Sequence, residues 1–305
     1  MTGKRLKKGD TIGIIAPAGF SSEVKVENAK KNIENMGFKV VLGKCTSKKW
    51  YSFAGTDDER AQEVNDFFAD DTIDAIVCMR GGYGCNRILE KLDLELIKIH
   101  PKIFVGYSDI TTLHIYLNEK AGLITFHGPM AVSNFIDEYN IDTCADFLNM
   151  VTGNFIGEIK NIDQKFEFIK KGSAKGKIVG GNLATLVATL GTEYDLDYTD
   201  KILFLEEIGE NTYKIDRLLN QLKKHGVFKK ISGIILGDFK NCKKCSEEDM
   251  DLLTVFKDYF MDFQGPVVSN VQSGHCEPMI TIPLGAMCEI DGKKKKITIT
   301  EDVVF

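Results

Sequence analysis

A serine at the boundary between an apolar run and a helical pattern is the first residue of this sequence whose position suits chemistry. Ser108 follows Ile103–Gly106, which has the composition of a buried strand, and precedes a helical pattern that contains His114. A serine there stands clear of the sheet, and the free N–H groups at the start of the helix face any oxygen that becomes negatively charged beside it. The same position also suits a serine that caps the helix. The pattern therefore indicates a nucleophile or an N-cap.

A serine hydroxyl becomes a good nucleophile when an adjacent base takes its proton, so the five histidines are the next candidates. The strongest is His275, in the turn-forming stretch Ser273–Pro278, where a side chain can project without serving the core. The alternative for His275 is an ordinary surface loop. His114 and His225 have positions in helices that explain them structurally. His100 lies beside Pro101 in a predicted loop. His127 ends an apolar segment and could line a site. The four weaker candidates are His100, His114, His127 and His225.

A base works best when a third group orients its ring, and a carboxylate at the end of a buried strand would be rigid and partly dehydrated. The apolar run 201–205 leads directly into Glu206, Glu207 and Glu210. Glu206 is our choice for the orienting role. The alternative is that all three glutamates form the acidic start of the next helix, which its dipole favours, and we prefer that explanation for Glu210.

The loop Arg80–Gly84 is rich in glycine and lies between a predicted strand and a predicted helix. Its glycines would let backbone N–H groups approach a ligand closely. The loop could hold a phosphate or supply half of an oxyanion hole. The sequence meets neither the dinucleotide-binding nor the P-loop pattern, so a nucleotide site is weakly supported. An oxyanion hole is favoured only if Ser108 is the nucleophile.

Four cysteines need separate consideration. Cys242 and Cys245 have the spacing of metal ligands, but no second pair lies at zinc-finger distance, so we expect an exposed loop. Cys85 and Cys276 could in principle be nucleophiles. Neither occupies a strand-to-helix turn, so serine is the better candidate.

The first half of the sequence alternates apolar runs with helical patterns in β-α-β-α order. This order predicts a mostly parallel sheet covered by helices, which binds ligands at the carboxyl ends of its strands. We predict an N-terminal mostly parallel α/β sandwich domain over 1–155, a polar linker over 156–175 and a smaller β-rich α+β domain over 176–305. The predicted strands are Thr11–Ala16, Lys39–Leu42, Ala75–Met79, Ile103–Gly106, Gly176–Val179, Ile202–Leu205, Ile231–Leu236, Met279–Ile282 and Lys296–Thr300. The predicted helices include 22–36, 57–68 after a capping box at Thr56 and Glu59, and Tyr213–Lys224.

Composition restricts the classes of function. The formal net charge of −5 and the lack of an arginine-rich face argue against nucleic acid as a partner. The first 20 residues imitate a signal peptide, but Asp10, Gly13 and Pro17 interrupt the apolar run, and no run approaches the ~18 residues of a membrane helix. The eight cysteines are scattered as in proteins with reduced thiols. We therefore expect a cytoplasmic protein with no membrane partner.

Eight segments of the sequence, taken in order and spacing, resemble the LD-carboxypeptidase family of serine peptidases. They are GDTIGIIAPAG, FAGTDDERAQEV, MRGGYGCNRILEKLD, FVGYSDITTLH, FHGPM, GGNLATLVATLGT, LFLEEIGENTYKIDRLL and GHCEPMITIPLG, and they span positions 9–285. The resemblance implies a catalytic triad of Ser108, Glu206 and His275, the same three residues selected above. It also implies an oxyanion hole formed by the backbone N–H groups of Gly82 and Asp109.

The resemblance further implies a reaction and a setting. Family members remove the terminal D-alanine from murein tetrapeptides during cell-wall recycling, at a site between two domains, without a cofactor or a metal, and commonly as homodimers. An exopeptidase must also bind the terminal carboxylate of its substrate, and we assign that role to Arg80 because it adjoins the glycine loop.

Two other functions stay open. A related hydrolase of the microcin-immunity type would cleave a peptidyl-nucleotide, although such proteins carry a longer substrate loop for which 305 residues leave little room. A non-catalytic α/β protein could instead bind a small ligand in its cleft.

Overall fold

The structure is a computed structural model that describes residues 1–137, 139–153 and 155–305. Its strands are β1 (Thr11–Ile15), β2 (Lys39–Leu42), β3 (Ala75–Cys78), β4 (Ile103–Gly106), β5 (Thr125–His127), β6 (Gly157–Ile159), β7 (Glu167–Lys170), β8 (Ser173–Asn182), β9 (Ile202–Ile208), β10 (Gly233–Lys240), β11 (Val267–Ser269), β12 (Ile282–Leu284), β13 (Met287–Asp291) and β14 (Lys296–Ile299). Its α-helices are α1 (Glu23–Asn35), α2 (Asp57–Ala69), α3 (Leu94–Ile99), α4 (Thr111–Tyr116), α5 (Ala131–Asn134), α6 (Ile141–Thr152), α7 (Leu183–Val187), α8 (Thr212–His225) and α9 (Leu252–Phe260).

The described chain divides into two compact units, each with its own sheet. The first unit contains residues 1–155, 281–285 and 302–305, and the second contains residues 156–280 and 286–301. The fold is therefore of the mixed α/β class, with the chain crossing between the units more than once.

The sheet of the first unit has the strand order β12-β5-β4-β3-β1-β2. Strands β1 to β5 are parallel, and β12 is antiparallel to β5 at one edge. The central strands β3 and β4 are buried along their whole length, as expected for parallel strands covered on both faces. Their loops after Cys78 and Gly106 therefore emerge at the same edge of the sheet.

Helix α2 begins with the predicted capping box. The Thr56 side chain accepts a hydrogen bond from the Glu59 backbone, and the Glu59 side chain accepts one from the Thr56 backbone. This reciprocal pair satisfies two N–H groups that the first turn leaves without partners. The cap fixes the point at which the chain enters α2.

The sheet of the second unit has the strand order β6-β14-β13-β8-β9-β10-β11-β7. Strands β8 to β11 are parallel in the middle of the sheet, and the strands outside them pair antiparallel. The second unit is therefore rich in β structure, with α7, α8 and α9 as its α-helices among the described residues.

The segments 156–175 and Met279–Ile282 differ from their sequence expectations in kind or in pairing. The segment 156–175, expected as a linker, contains β6 and β7, which are the two edge strands of the second sheet. A polar, lysine-rich alternation is typical of edge strands as well as of linkers, because charge protects an exposed edge. The strand expected at Met279–Ile282 is instead β12 at Ile282–Leu284, which pairs in the first sheet.

Candidate active site

Ser108 has an unusual backbone conformation at the end of a buried strand. It is the first residue of a short helical turn, Ser108–Ile110, that follows β4 and leads into α4. Its φ angle is +64°, in the left-handed region that a residue with a Cβ seldom adopts. Such a conformation costs on the order of 1–3 kcal/mol and persists where the surroundings enforce it, often at functional sites.

The glycine loop lies directly against Ser108. A Cβ atom on Gly81 would be 2.8 Å from the Ser108 Cβ and 3.0 Å from its Oγ. The same Cβ would be 3.3 Å from the backbone nitrogen of Asp109. Only a glycine can therefore occupy position 81 while Ser108 keeps this conformation.

Gly82 is held by a neighbouring loop. The Gly81 carbonyl accepts a hydrogen bond from the Gly19 N–H at 3.2 Å. Because the C=O and N–H of a trans peptide point in opposite directions, this bond also fixes the direction of the Gly82 N–H.

Asp109 joins the serine turn to the end of the glycine loop. Its carboxylate accepts a hydrogen bond from the Cys85 N–H at 2.9 Å and is 6% exposed. Burial raises the pKa of this carboxyl, and the bond from Cys85 opposes that rise. The side chain of Asp109 thus has a structural role, while its own backbone N–H lies beside Gly81.

Arg80 lies at the exposed end of the same loop. Its guanidinium donates one long hydrogen bond, 3.3 Å from Nη1 to the Phe20 carbonyl, and the residue is exposed. The cation is therefore accessible to an anionic ligand in the first unit.

In the second unit, His275 is paired with Glu206. The distance from His275 Nδ1 to Glu206 Oε2 is 2.7 Å, with the carboxyl side chain fully buried and the imidazole 13% exposed. A carboxylate that accepts the Nδ1–H orients the ring and favours the tautomer in which Nε2 is the basic nitrogen.

Strand geometry explains why Glu206 rather than Glu207 contacts the histidine. The sequence expects the strand to end at Leu205, but β9 continues to Ile208, so the two adjacent glutamates point to opposite faces. Glu207 instead accepts hydrogen bonds from the Asn182 side chain and the Ala184 N–H, both at 2.8 Å. The third glutamate, Glu210, pairs with Lys214 at 2.9 Å on the way into α8.

The other four histidines of the sequence are His100, His114, His127 and His225. The His127 ring lies 5.9 Å from that of Tyr107, the residue before Ser108. Both ring nitrogens of His114 are bonded, to the Thr125 hydroxyl and to the Gly106 carbonyl, each at 2.8 Å. The His225 ring lies 2.8 Å from Asp195 at the end of α8. His225 and Asp195 thus form another histidine–carboxylate pair in the second unit.

The cysteines near the candidate site are poor nucleophiles. Burial raises the pKa of Cys276 to about 12 and holds the pKa of Cys85 well above its ordinary value. The thiolate is the reactive form of cysteine, so both thiols are unreactive at neutral pH. The expectation of an exposed loop at Cys242 and Cys245 is wrong for Cys242, which is buried, while Cys245 is exposed.

Asp238 is a residue near the pair that sequence reasoning missed. Its N–H donates to the Ser273 carbonyl at 2.9 Å, which ties β10 to the turn that carries His275. Burial raises the pKa of its carboxyl, and the charge of Glu206 raises it further, while Lys240 and His275 lower it. The only signal in the sequence was a polar residue at the end of an apolar strand.

Comparison with known proteins decides the family. The sequence profile of the LD-carboxypeptidase N-terminal domain matches residues 12–128, and that of the C-terminal domain matches residues 175–290. The chain belongs to the LD-carboxypeptidase family. It is therefore an enzyme, a hydrolase of the serine peptidase class, and the alternative of a non-catalytic binding protein is set aside.

Individual relatives agree with this assignment. The chain is 38% identical to a probable murein peptide carboxypeptidase of Bacillus subtilis, covering 98% of this LD-carboxypeptidase and 94% of the relative. It is 33% identical to the microcin C7 self-immunity protein MccF of Escherichia coli, over 97% and 94% of the two chains. The structure of MccF without ligand matches with a TM-score of 0.92 at 30% identity, covering all of both chains. A muramoyltetrapeptide carboxypeptidase from Oxalobacter formigenes matches with a TM-score of 0.86 at 28% identity, over 96% and 99% of the two chains.

Among the residues that the structure describes, no helix has the length and apolar character needed to cross a membrane.

Proposed function

We propose that this LD-carboxypeptidase hydrolyses the bond to the terminal D-alanine of murein tetrapeptides through Ser108, His275 and Glu206. His275 takes the Ser108 proton as Ser108 attacks the carbonyl carbon, and Glu206 orients the imidazole and stabilises its protonated form. The tetrahedral intermediate then expels D-alanine, which receives the proton from His275. Water hydrolyses the resulting acyl-enzyme by the same route.

The observation that carries this proposal is the left-handed Ser108 on the turn after β4, with the Gly81 backbone packed against its side chain. A serine that only capped a helix would have extended backbone and would need no such conformation. The buried Glu206 bonded to His275 supports the assignment of the base.

The oxyanion hole is proposed to consist of the N–H groups of Gly82 and Asp109. Removal of one such donor from a serine hydrolase costs about 10²–10³ in kcat. Arg80 is proposed to bind the terminal carboxylate, for which its exposed guanidinium has the right charge and shape.

The proposed substrate class is supported by the relative named as a probable murein peptide carboxypeptidase, which is 38% identical over nearly the whole chain. By the family resemblance we also infer a cytoplasmic role in cell-wall recycling and a homodimer. Light scattering tests the dimer, which would have twice the chain mass of 34.1 kDa.

The first experiment replaces Ser108 with alanine. We expect Ser108→Ala to lower release of D-alanine from L-Ala-γ-D-Glu-L-Lys-D-Ala by at least about 10⁴-fold, because the acyl-enzyme cannot form. Thermal unfolding should change little. Mass spectrometry of the tetrapeptide and tripeptide measures the reaction, and Ser133→Ala, an exposed serine in α5, is the control. Turnover retained by Ser108→Ala would refute the assignment.

The base is tested by labelling with a fluorophosphonate, which reacts with activated serines. His275→Ala should abolish labelling of Ser108, whereas His225→Ala, which breaks the pair with Asp195, should leave it unchanged. Equal loss in both variants would mean that the effect comes from the fold and not from the base.

A second candidate function is cleavage of a peptidyl-nucleotide, because MccF matches with a TM-score of 0.92 and its solved complexes include aspartyl sulfamoyl adenosine. The alignment to MccF spans 328 positions, more than the 305 residues of this chain, so MccF carries insertions relative to it. The higher identity to the probable murein peptide carboxypeptidase, 38% against 33% for MccF, supports murein peptides. Direct comparison of kcat/KM for aspartyl sulfamoyl adenosine and for tetrapeptides with lysine or diaminopimelate at the third position separates the candidates.

A further inference from the structure

Arg60 has an unusual position for an arginine. Its side chain, which projects from α2, is fully buried. A buried guanidinium needs partners for its N–H groups, because transfer of an unpaired charge from water is very costly. The burial of Arg60 therefore requires that its N–H groups have partners within the protein.

The partners of Arg60 are three backbone carbonyls and one carboxylate. Its Nε donates to the Gly55 carbonyl at 3.2 Å, and its Nη1 donates to the carbonyls of Gly84, at 3.0 Å, and Pro17. Its Nη2 donates to the carboxylate of Asp57. One planar cation thus joins three separate loops, which the single ammonium of a lysine could not match in geometry.

Two of these loops belong to the candidate active site. Pro17 follows β1, and Gly84 ends the glycine loop that follows β3. The same two loops are bonded to each other where the Gly19 N–H donates to the Gly81 carbonyl. Arg60 therefore holds both sides of the contact that fixes the direction of the Gly82 N–H.

The packing around Gly84 is tight. A Cβ on Gly84 would be 2.8 Å from Arg60 Nη1, and the φ angle of this glycine is +138°. The loop thus approaches the guanidinium as closely as backbone alone permits.

Asp57 balances the charge of Arg60 and shares it with a second arginine. Arg87 binds Asp57 through Nε at 3.0 Å and Nη2 at 2.8 Å. The hydrogen bond that Asp57 accepts from Arg87, together with the charge of Arg60, holds the pKa of the Asp57 carboxyl below its ordinary value. The carboxylate is 23% exposed, so water reaches one end of the network while Arg60 stays dry.

We propose that Arg60 is a positioning residue that holds the glycine loop in the conformation required for the oxyanion hole. It acts through the carbonyls of Pro17 and Gly84, and its side chain is fully buried. The catalytic consequence rests on the function proposed above, whereas the effect on the loop does not.

The test compares Arg60→Lys with Lys102→Met. Lys102 is a second buried cation of the first unit, whose ammonium donates to the carbonyls of Asp70 and Ile73. Because Ile73 and Lys102 precede β3 and β4, this control lies at the opposite edge of the sheet from Ser108. Both variants lose buried hydrogen bonds, but only Arg60→Lys alters the glycine loop.

Two measurements are made on each variant. We expect kcat of Arg60→Lys to fall about 10²-fold with KM changed less than about twofold, as for a small misplacement of catalytic groups. Hydrogen exchange of the amides in 80–85 should become at least about tenfold faster. Lys102→Met should show lower thermal stability, unchanged kcat and unchanged exchange in this loop.

The outcomes separate the two proposals. If the unaltered enzyme releases no D-alanine, the proposed function fails, and the exchange measurement still decides the role of Arg60. Unchanged loop exchange in folded Arg60→Lys, or an equal loss of kcat in Lys102→Met, would overturn the inference. Should Arg60→Lys not fold, Asp57→Asn replaces it, with an expected fall in kcat of about fivefold and faster loop exchange. If Asp57→Asn leaves both unchanged, the inference is wrong.

Discussion

The conformation of Ser108 depends on the absence of a side chain at Gly81. The serine has a left-handed backbone with φ +64°, and the space beside its Cβ is filled by the Gly81 backbone. The packing of β4 and of the glycine loop against Ser108 offsets the energetic cost of this conformation. Any side chain at position 81 would have to displace the serine itself.

Replacement of Gly81 tests this arrangement. In Gly81→Ala the new Cβ would lie 2.8 Å from the Ser108 Cβ, which belongs to a short side chain that cannot swing away. We expect kcat for tetrapeptide hydrolysis to fall by about 10²-fold, with a loss of stability of about 1–3 kcal/mol from overpacking.

The control for this substitution is Gly157→Ala, because no atom lies within 4 Å of a Cβ added to Gly157. Its kcat and unfolding free energy should match those of the unaltered enzyme. Full activity in Gly81→Ala would show that Ser108 does not depend on the close approach of the glycine loop.

The proposed site residues could be selected from the sequence because each has a local signal. Ser108 follows an apolar strand, and His275 lies in a turn rich in small and polar residues. Arg60 gave no such signal, since an arginine in a charged helix is typical of a solvated face. Its burial depends on carbonyls from loops 5 to 43 residues away, and no periodicity shows such contacts.

At the scale of elements, most strands and helices and the parallel sheet of the first unit were predictable, whereas the pairing of β12 and of the edge strands β6 and β7 was not. Strands β2 and β4 have the predicted bounds, and α8 extends the predicted helix by one residue at each end. The three residues of β12, with Pro283 in the middle, form too short a run to show alternation. The edge strands β6 and β7 have the polar composition of a linker, so their place in the sheet depends on partners distant in sequence.

Helix α4 is held to its neighbouring strands by a histidine that responds to pH. His114 bonds the Gly106 carbonyl of β4 and the Thr125 hydroxyl of β5, and burial lowers its pKa to about 4. In the unfolded chain a histidine has a pKa of about 6.5. The folded state therefore binds fewer protons than the unfolded state between these values, so stability is lost as pH falls from about 6.5 to about 4.

We predict that this residue contributes about 2–3 kcal/mol to the fall in unfolding free energy between pH 7.5 and pH 4.5. His114→Gln should show a decline smaller by that amount in urea unfolding at the two pH values. His100→Gln, which changes a histidine paired with Asp71 near the surface, should decline in parallel with the unaltered enzyme. A parallel decline in His114→Gln as well would mean that His114 does not supply this pH dependence.

At the scale of the whole molecule, each compact unit is made from more than one stretch of chain. The first unit also includes residues 281–285, which contain β12, and the last four residues, Asp302–Phe305. A contiguous fragment over 1–155 therefore lacks an edge strand of its sheet. The predicted division into 1–155 and 176–305 follows the sequence and misses these two returns, because both are short and their pairing is non-local.

The C-terminal return gives a direct test of this organisation. Val303 and Val304 are at most 1% exposed, and the Phe305 backbone bonds Gly3 and Arg5 of the N-terminal segment at 3.1 and 2.9 Å. Deletion of residues 302–305 exposes the surfaces that these valines cover, so we expect the unfolding free energy to fall by about 3–5 kcal/mol. The control is Phe305→Ser, because this side chain is 65% exposed, and its effect should stay within about 0.5 kcal/mol. The unfolding free energy of both variants is measured in urea. If the deletion variant were as stable as the unaltered enzyme, the last residues would not be part of the first unit.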